Sequence, residues 1–320
     1  MPNVKFGYSA LIQEEKMFNI VGKRFWFFFV SGLVIFTSII SLATFGLKTG
    51  IEFSSGSMIT VGFEQEVSQI ELEQELASLG YSNVIIQRVG GEDFLIRLPE
   101  IKTGDKTELE TGLIAGLGNI EVKEFDIVSP MVAGETAQNA AIAVAVAAVG
   151  ILLYITWAFH RMPNPFRYGV CAVIALIHDT LVALGVFSIL GGILGWEVNL
   201  MFITGILAVI GYSVNNTVVV FDRIRENLTV DSKSGFEVVV NNSLVETLSR
   251  SLNTSLTTLF VIAALFLFIG ASIQNFAVVL LIGVIVGTFS SLCIAPQLLI
   301  VWKNGEWGRF IGRSLSRTNI

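Results

Sequence analysis

Charge is what this chain has least of. Only 14% of its 320 residues are Asp, Glu, Lys or Arg, against about a quarter in an ordinary soluble domain. Apolar residues make up 53%, and the mean hydropathy is +0.72. That balance excludes a water-soluble globule. Cysteine is scarce too. Cys171 and Cys293 both lie in apolar runs and read as small buried hydrophobes, not as a disulfide or a metal pair. His160 and His178 are the two histidines, too few for most zinc sites. No GxxxxGK[ST], HExxH or GxSxG string occurs. A P-loop, a zinc protease helix and a nucleophile elbow therefore have no motif to rest on. The expectation is a non-enzymatic chain with no cofactor, no metal and no nucleic-acid partner.

What is present is long apolar runs. A span needs about 20 mostly apolar residues, and six stretches qualify: 25–46, 136–159, 168–192, 199–220, 253–270 and 276–302. The first is too long for a signal-peptide core and lacks a convincing small-residue cleavage site, so it is expected to stay as an anchor. Lys and Arg set the orientation. Lys5, Lys16, Lys23 and Arg24 precede span one, and Arg161 and Arg167 link spans two and three. Arg223, Arg225, Lys233 and Arg250 link spans four and five; Lys303, Arg309, Arg313 and Arg317 follow span six. All fall on one side of a six-span chain, and the short links near 192–198 and 271–275 have neither residue. Both termini, 1–24 and 303–320, are expected in the cytoplasm.

Residues 47–135 then lie outside it. Strand patterns at 57–63, 83–89, 93–98 and 120–128 alternate with helical patterns at 67–79 and 105–117. Gly90 and Gly91 mark a hairpin. The order β-α-β-β-α-β is the ferredoxin-like split βαβ, which implies no activity by itself. The fold class expected is an α-helical polytopic membrane protein carrying a small α+β domain between spans one and two.

The later spans carry ALIHDT, GYSVNNTVVVFDRIREN and SRSLNTSLTTL; GIEFSSGSMI follows span one and VSPMVAGE precedes span two. In this order the strings resemble the SecF family, whose members pair with SecD beside the bacterial protein-translocation channel. The motif residues are Gly211, Tyr212, Ser213, Asn215, Thr217, Asp222, Arg223, Arg225 and Glu226, with Gly50, Glu52 and Gly56 after span one. The resemblance implies half of an RND-type bundle, completed by a SecD-like six-span subunit. It also implies contact with the Sec channel, exported polypeptides and membrane lipids, and late export steps driven by a proton or other ion gradient. The implied place is the bacterial inner membrane, or a thylakoid in a photosynthetic cell. An RND-type transporter subunit for small molecules or lipids is the alternative, as is a packing scaffold for SecD. Two departures stand out. Ser55 occupies a family glycine position, and Asn216 occupies the position of a family aspartate.

Four residues are candidates for ion coupling: Asn216, Arg250, Thr254 and Asp179. Asn216 cannot exchange a proton near neutral pH. It reads either as a helix-packing amide, worth about 0.6 kcal/mol, or by resemblance as a neutral stand-in for a proton site. Arg250 leads a polar stripe with Asn253, Thr254, Thr257 and Thr258 at helical spacing. Such a stripe is expected to face a bundle interior or a water path, and Asn216 is expected to hydrogen-bond it. By resemblance Arg250 and Thr254 face the fourth-span acid; the plain alternative is an interfacial arginine. Asp179 is a lone mid-span acid, functional by default or a hydrogen-bonded tie to the fourth or fifth span. His178, about 100° away around the helix, is expected to lie on a different face. Gly205, Gly211, Gly283 and Gly287 are expected to pack against a second bundle. Gly46, Gly50 and Gly56 are expected to serve ordinary turns.

Overall fold

The computed structural model describes residues 18–306 except 83, 90–92, 102, 232–233 and 269–272. Lys5, Lys16, Gly90, Gly91, Lys233, Gly270, Ala271, Arg309, Arg313 and Arg317 lie outside the described residues. Six helical stretches are long and apolar enough to cross a membrane. They are α1 (Arg24–Thr44), α5 (Pro130–Ala158), α6 (Pro165–Leu194), α7 (Leu200–Val230), α8 (Phe236–Phe268) and the broken pair α9 (Gln274–Cys293) and α10 (Ala295–Asn304).

Local chemistry sets the ends. Ser129 accepts from the Val132 amide and Pro130 takes the first turn of α5, where a missing N–H costs nothing. Asn199 caps α7 by accepting from the Phe202 amide at 3.0 Å. Gly195, at φ 76°, closes α6 in the left-handed conformation. The break in the last span falls at Ile294 (φ −112°, ψ −60°), just before Pro296. Proline has no amide to donate, and its ring crowds the carbonyl four residues back.

The helices outrun their apolar stretches. Helix α7 continues to Val230, carrying Asp222, Arg223, Arg225 and Glu226, and α8 begins at Phe236. Hydropathy marks the lipid-facing part, while backbone hydrogen bonding carries a helix on into water. Arg250 therefore sits well inside α8, not at the head of a helix.

Between α1 and α5 lie the one-turn α2 (Ile51–Ser54), β1 (Gly56–Phe63), α3 (Gln69–Ser78), β2 (Ile85–Val89), β3 (Asp93–Leu98), α4 (Thr103–Leu117) and β4 (Ile120–Val128). The sheet order is β2-β3-β1-β4, with every neighbouring pair antiparallel. This is the split βαβ arrangement expected. Ser68 and Glu71 form a capping box at α3. Ile59, Val61, Phe63, Phe94, Ile96 and Leu98 pack with Leu72, Leu76, Leu109 and Leu113 of the helices. Strand alternation then puts Arg97 on the face away from the helices.

Glycines set the spacing inside the bundle. A Cβ on Gly205 would come within 2.9 Å of Val279, one on Gly287 within 2.9 Å of Ser213, and one on Gly283 would clash with Val209. These three close the α7–α9 contact within this chain. Of the four glycines expected to meet a second bundle, only Gly211 is exposed with open space beside it. Small residues let helices approach, but spacing does not say which helix approaches.

Candidate functional site

The bundle buries polar groups where α6, α7, α8 and α9 meet. Asp179 of α6 is 2% exposed, and its Oδ2 accepts from Ser213 Oγ at 2.6 Å and from Ser290 Oγ at 2.8 Å. Its Oδ1 lies 3.0 Å from His178 Nδ1. The expected separation of His178 from Asp179 fails here, because adjacent side chains can bend together along a helix surface. Nε2 of His178 is buried without a partner among the described residues. The Asp179 carboxylate thus ties the third span to the fourth and the sixth.

Asn216 of α7 belongs to a second, neighbouring set of buried hydrogen bonds. Its Nδ2 donates to Ser291 Oγ of α9 at 2.5 Å, not to the fifth-span stripe. Ser291 Oγ donates to the Thr288 carbonyl, Thr288 Oγ1 meets Ser255 Oγ of α8 at 2.6 Å, and Tyr212 OH donates to Ser255 Oγ. Thr217 is satisfied within its own helix by the Ser213 carbonyl. A cavity of about 80 Å³ lined by Tyr212, Asn215, Asn216, Arg250 and Thr254 is all that joins Asn216 to the stripe. Sequence reasoning missed Ser255, Thr288, Ser290 and Ser291. The signal was GTFSSLC, three hydroxyls in an apolar span.

The stripe itself faces outward. Arg250, Asn253, Thr254 and Thr257 are exposed, as are Gly211 and Asn215 on α7. The hydroxyls of Thr254, Thr257 and Thr258 donate to their own helix, to the carbonyls of Arg250, Asn253 and Thr254. Among the described residues, Arg250 has no carboxylate partner, and the Asn215 and Asn253 amides make no hydrogen bond. Asp222, Arg223, Arg225 and Glu226 pair at the end of α7: Arg225 Nη2 with Asp222 at 2.6 Å, and Arg223 with Glu226 and with Glu246 of α8.

Known proteins share this architecture. Residues 110–305 match the family described as Protein export membrane protein SecD/SecF, C-terminal, and residues 40–67 match the SecD/SecF GG Motif. Protein translocase subunit SecF of Thermobaculum terrenum is 41% identical over 310 residues, covering 93% of this chain and 98% of that one. The chain belongs to the SecF family. Protein translocase subunit SecDF of Bacillus subtilis is 33% identical over 90% of this chain, which spans 38% of that longer protein. The crystal structure of SecDF, a translocon-associated membrane protein from Thermus thermophilus, superposes with a TM-score of 0.81 at 31% identity. That match covers 90% of this chain and 39% of the other.

The GG segment explains how the four-stranded domain is held. Gly50 leaves no room for a Cβ beside the Glu52 carboxylate and Asn199. Gly56 has φ 124°, and a Cβ there would meet the Leu98 carbonyl at 2.8 Å. Between them Ser55 is held at φ 63°, ψ 169°, a region that only glycine enters freely. Ser55→Gly is expected to stabilise the chain by about 1–2 kcal/mol, read as a higher unfolding midpoint of the purified protein.

Arg97 and Glu197 were not singled out from sequence, yet they fasten the sheet to the α6–α7 link. Arg97 Nη1 pairs with Glu197 Oε1 at 2.8 Å, and Nη2 donates to the Thr49 carbonyl at 2.6 Å and to Ser54 Oγ at 2.9 Å. Gly50 N donates to the Val198 carbonyl, and Val198 N to that of Lys48. Glu52 lines the adjacent cleft of about 440 Å³ under the open sheet face, with Glu124, Asp126, Arg88 and Trp196. Burial holds the Glu197 carboxyl above the ordinary glutamate value, with Arg97 and Lys48 pulling it down and Glu52 pushing it up. A raised folded value means the docked state binds the proton more tightly. Its stability is fullest below the ordinary glutamate value and falls as pH rises toward the raised one. Arg97→Ala should cost on the order of 2–4 kcal/mol, since it strands the half-buried Glu197 carboxylate and removes the two bonds to Thr49 and Ser54. Glu197→Gln should cost less and flatten the pH dependence. Thermal unfolding of the full chain between acid and neutral pH checks both.

Proposed function

We propose that this chain is the SecF subunit of a SecD–SecF assembly that promotes late steps of protein export beside the Sec channel, using a proton gradient. The observation that carries the reading is the exposed band of Arg250, Asn215 and Asn253 on spans four and five. A guanidinium and two amides facing lipid are costly, and a second six-span bundle of SecD type relieves that cost. The Bacillus subtilis relative, named SecDF, joins both halves in one chain, which supports the pairing. The Lys and Arg distribution supports both termini lying in the cytoplasm, and the reading sets the chain in a bacterial inner membrane. The four-stranded domain then stands outside, where its acid-rich cleft beside Glu52 can meet an emerging polypeptide. A small single outer domain suits this role better than small-molecule efflux.

The proton-carrying group in this half is assigned to Asp179, because Asn216 cannot ionise. Arg250 and Thr254 line the seam toward the partner instead, with Asn216 buried behind them. Two measurements test the reading. A tagged chain taken from its own membrane in mild detergent should bring a SecD-type subunit with it. Depleting the chain should slow secretion from energised vesicles but not from vesicles treated with a proton ionophore. Recovery of the chain alone, together with ionophore-insensitive secretion, would overturn it.

A further inference from the structure

We propose that the loop-facing end of the bundle holds a specific site for the phosphate headgroup of an acidic phospholipid. A cleft of about 380 Å³ opens where the α5–α6 link, the end of α7, the start of α8 and α10 meet. Arg161, Arg167 and Lys303 line it, and none of the three has a carboxylate partner among the described residues. By contrast Arg24, Arg97, Arg223 and Arg225 are all paired. The acid in the cleft, Asp231, already accepts from the Ser234 amide, so three cations face one carboxylate. Arg167 lies over the Trp302 ring at 5.7 Å and Lys303 over Phe236 at 3.7 Å. The rings orient these charges without neutralising them.

The rest of the lining is what distinguishes this cleft from a scatter of interfacial cations. Its floor is apolar, with Met162, Tyr168 and Leu299 buried. The α6 amino end opens there as well, with Asn164 in the left-handed conformation and no side-chain cap. Pro165 has no N–H and the Arg167 amide already donates to the Asn164 carbonyl, so the end contributes little beyond its dipole. The two guanidinium forks suit phosphate oxygens, while the apolar floor suits the start of an acyl chain. A soluble phosphate would use the first set of contacts and leave the second empty. The site does not depend on the pairing with SecD, whose seam lies on other faces of α7 and α8.

The test is a titration of the full chain in mild detergent, read by native mass spectrometry as lipid retained per protein. Dioleoyl phosphatidylglycerol should be retained at one copy and displace phosphatidylcholine. Arg161→Gln/Arg167→Gln should weaken retention by about thirtyfold, on the order of fivefold for each cation removed. Lys23→Gln, outside the cleft on another part of the chain, should leave it unchanged. Should the double variant not purify as a monodisperse protein, Lys303→Gln, with an exposed side chain, gives the same readout with about fivefold loss. Equal retention of the two lipids, or an equal loss from Lys23→Gln, would overturn the site. Full displacement of the lipid by millimolar inorganic phosphate or glycerol 3-phosphate would make it a free-phosphate site and overturn the lipid assignment.

Discussion

Asp179→Asn should reduce gradient-driven secretion to the level seen with a proton ionophore, while the bundle stays folded. The buried charged and imidazole side chains among the described residues are Arg24, His178 and Asp179. Arg24 is already paired with Glu237 and Glu306 near the chain ends. Asp179 is therefore the buried carboxylate of the helical core among the described residues, and it touches the buried His178. An asparagine side chain keeps an acceptor for Ser213 or Ser290 and fits the same space, so the structural loss is about 1 kcal/mol. What it cannot do is take up and release a proton. Asp179→Ala is the contrasting variant: it leaves the Ser213 hydroxyl and the imidazole short of a partner, while Ser290 keeps the Gly287 carbonyl, at about 1–3 kcal/mol for each buried orphan. It should lower yield as well as activity. Secretion into inverted vesicles, with and without ionophore, separates the two effects. Full gradient-dependent secretion by Asp179→Asn would move the proton-carrying acid to the partner bundle and leave Asp179 as a structural tie.

The two halves of the fold were legible for different reasons. The four-stranded domain was readable strand by strand, because period-2 alternation sorts one buried face and short turns leave little choice of order. β3 and β4 fall at 93–98 and 120–128 as the pattern indicates. The existence of six spans was equally plain from length and hydropathy. The contacts inside the bundle were not. Nearly every residue of a span is apolar, so no amphipathic stripe says which side meets protein and which meets lipid. Gly283 and Gly211 look alike in sequence, yet one closes on Val209 and the other opens to the outside. The fifth span carries the same ambiguity: the face of α8 turned into this chain carries Ser251 and Ser255, the Arg250 stripe is exposed, and no local signal tells one polar face from the other. The Arg97–Glu197 latch joins residues a hundred positions apart. Alternation gives the face on which Arg97 lies, but nothing local names its partner.

Asn216→Asp should add a second gradient-sensitive group and make secretion depend more steeply on the proton gradient. Asn216 is 9% exposed, and its amide nitrogen donates to Ser291. A carboxylate there would reverse the direction of that bond, accepting from Ser291 Oγ, whose present acceptor is the Thr288 carbonyl. The hydroxyl can rotate, so the change is tolerated on the α9 side. On the α8 side the new acid would share the cavity of about 80 Å³ with Arg250 and Thr254, giving Arg250 the opposite charge it lacks among the described residues. Asn216→Ala should do little beyond the loss of one packing bond, about 0.6 kcal/mol. Arg250→Ala should do more, because any acid the partner bundle sets against Arg250 would be left buried and unpaired, at about 3–5 kcal/mol. The expected order of secretion rates in energised vesicles is therefore Asn216→Asp with the steepest gradient dependence, Asn216→Ala close to the unmodified chain, and Arg250→Ala well below both. If Arg250→Ala secretes normally while Asn216→Ala fails, the amide itself is the working group, and the Asn216–Ser291 bond, not the arginine, is the part that must move.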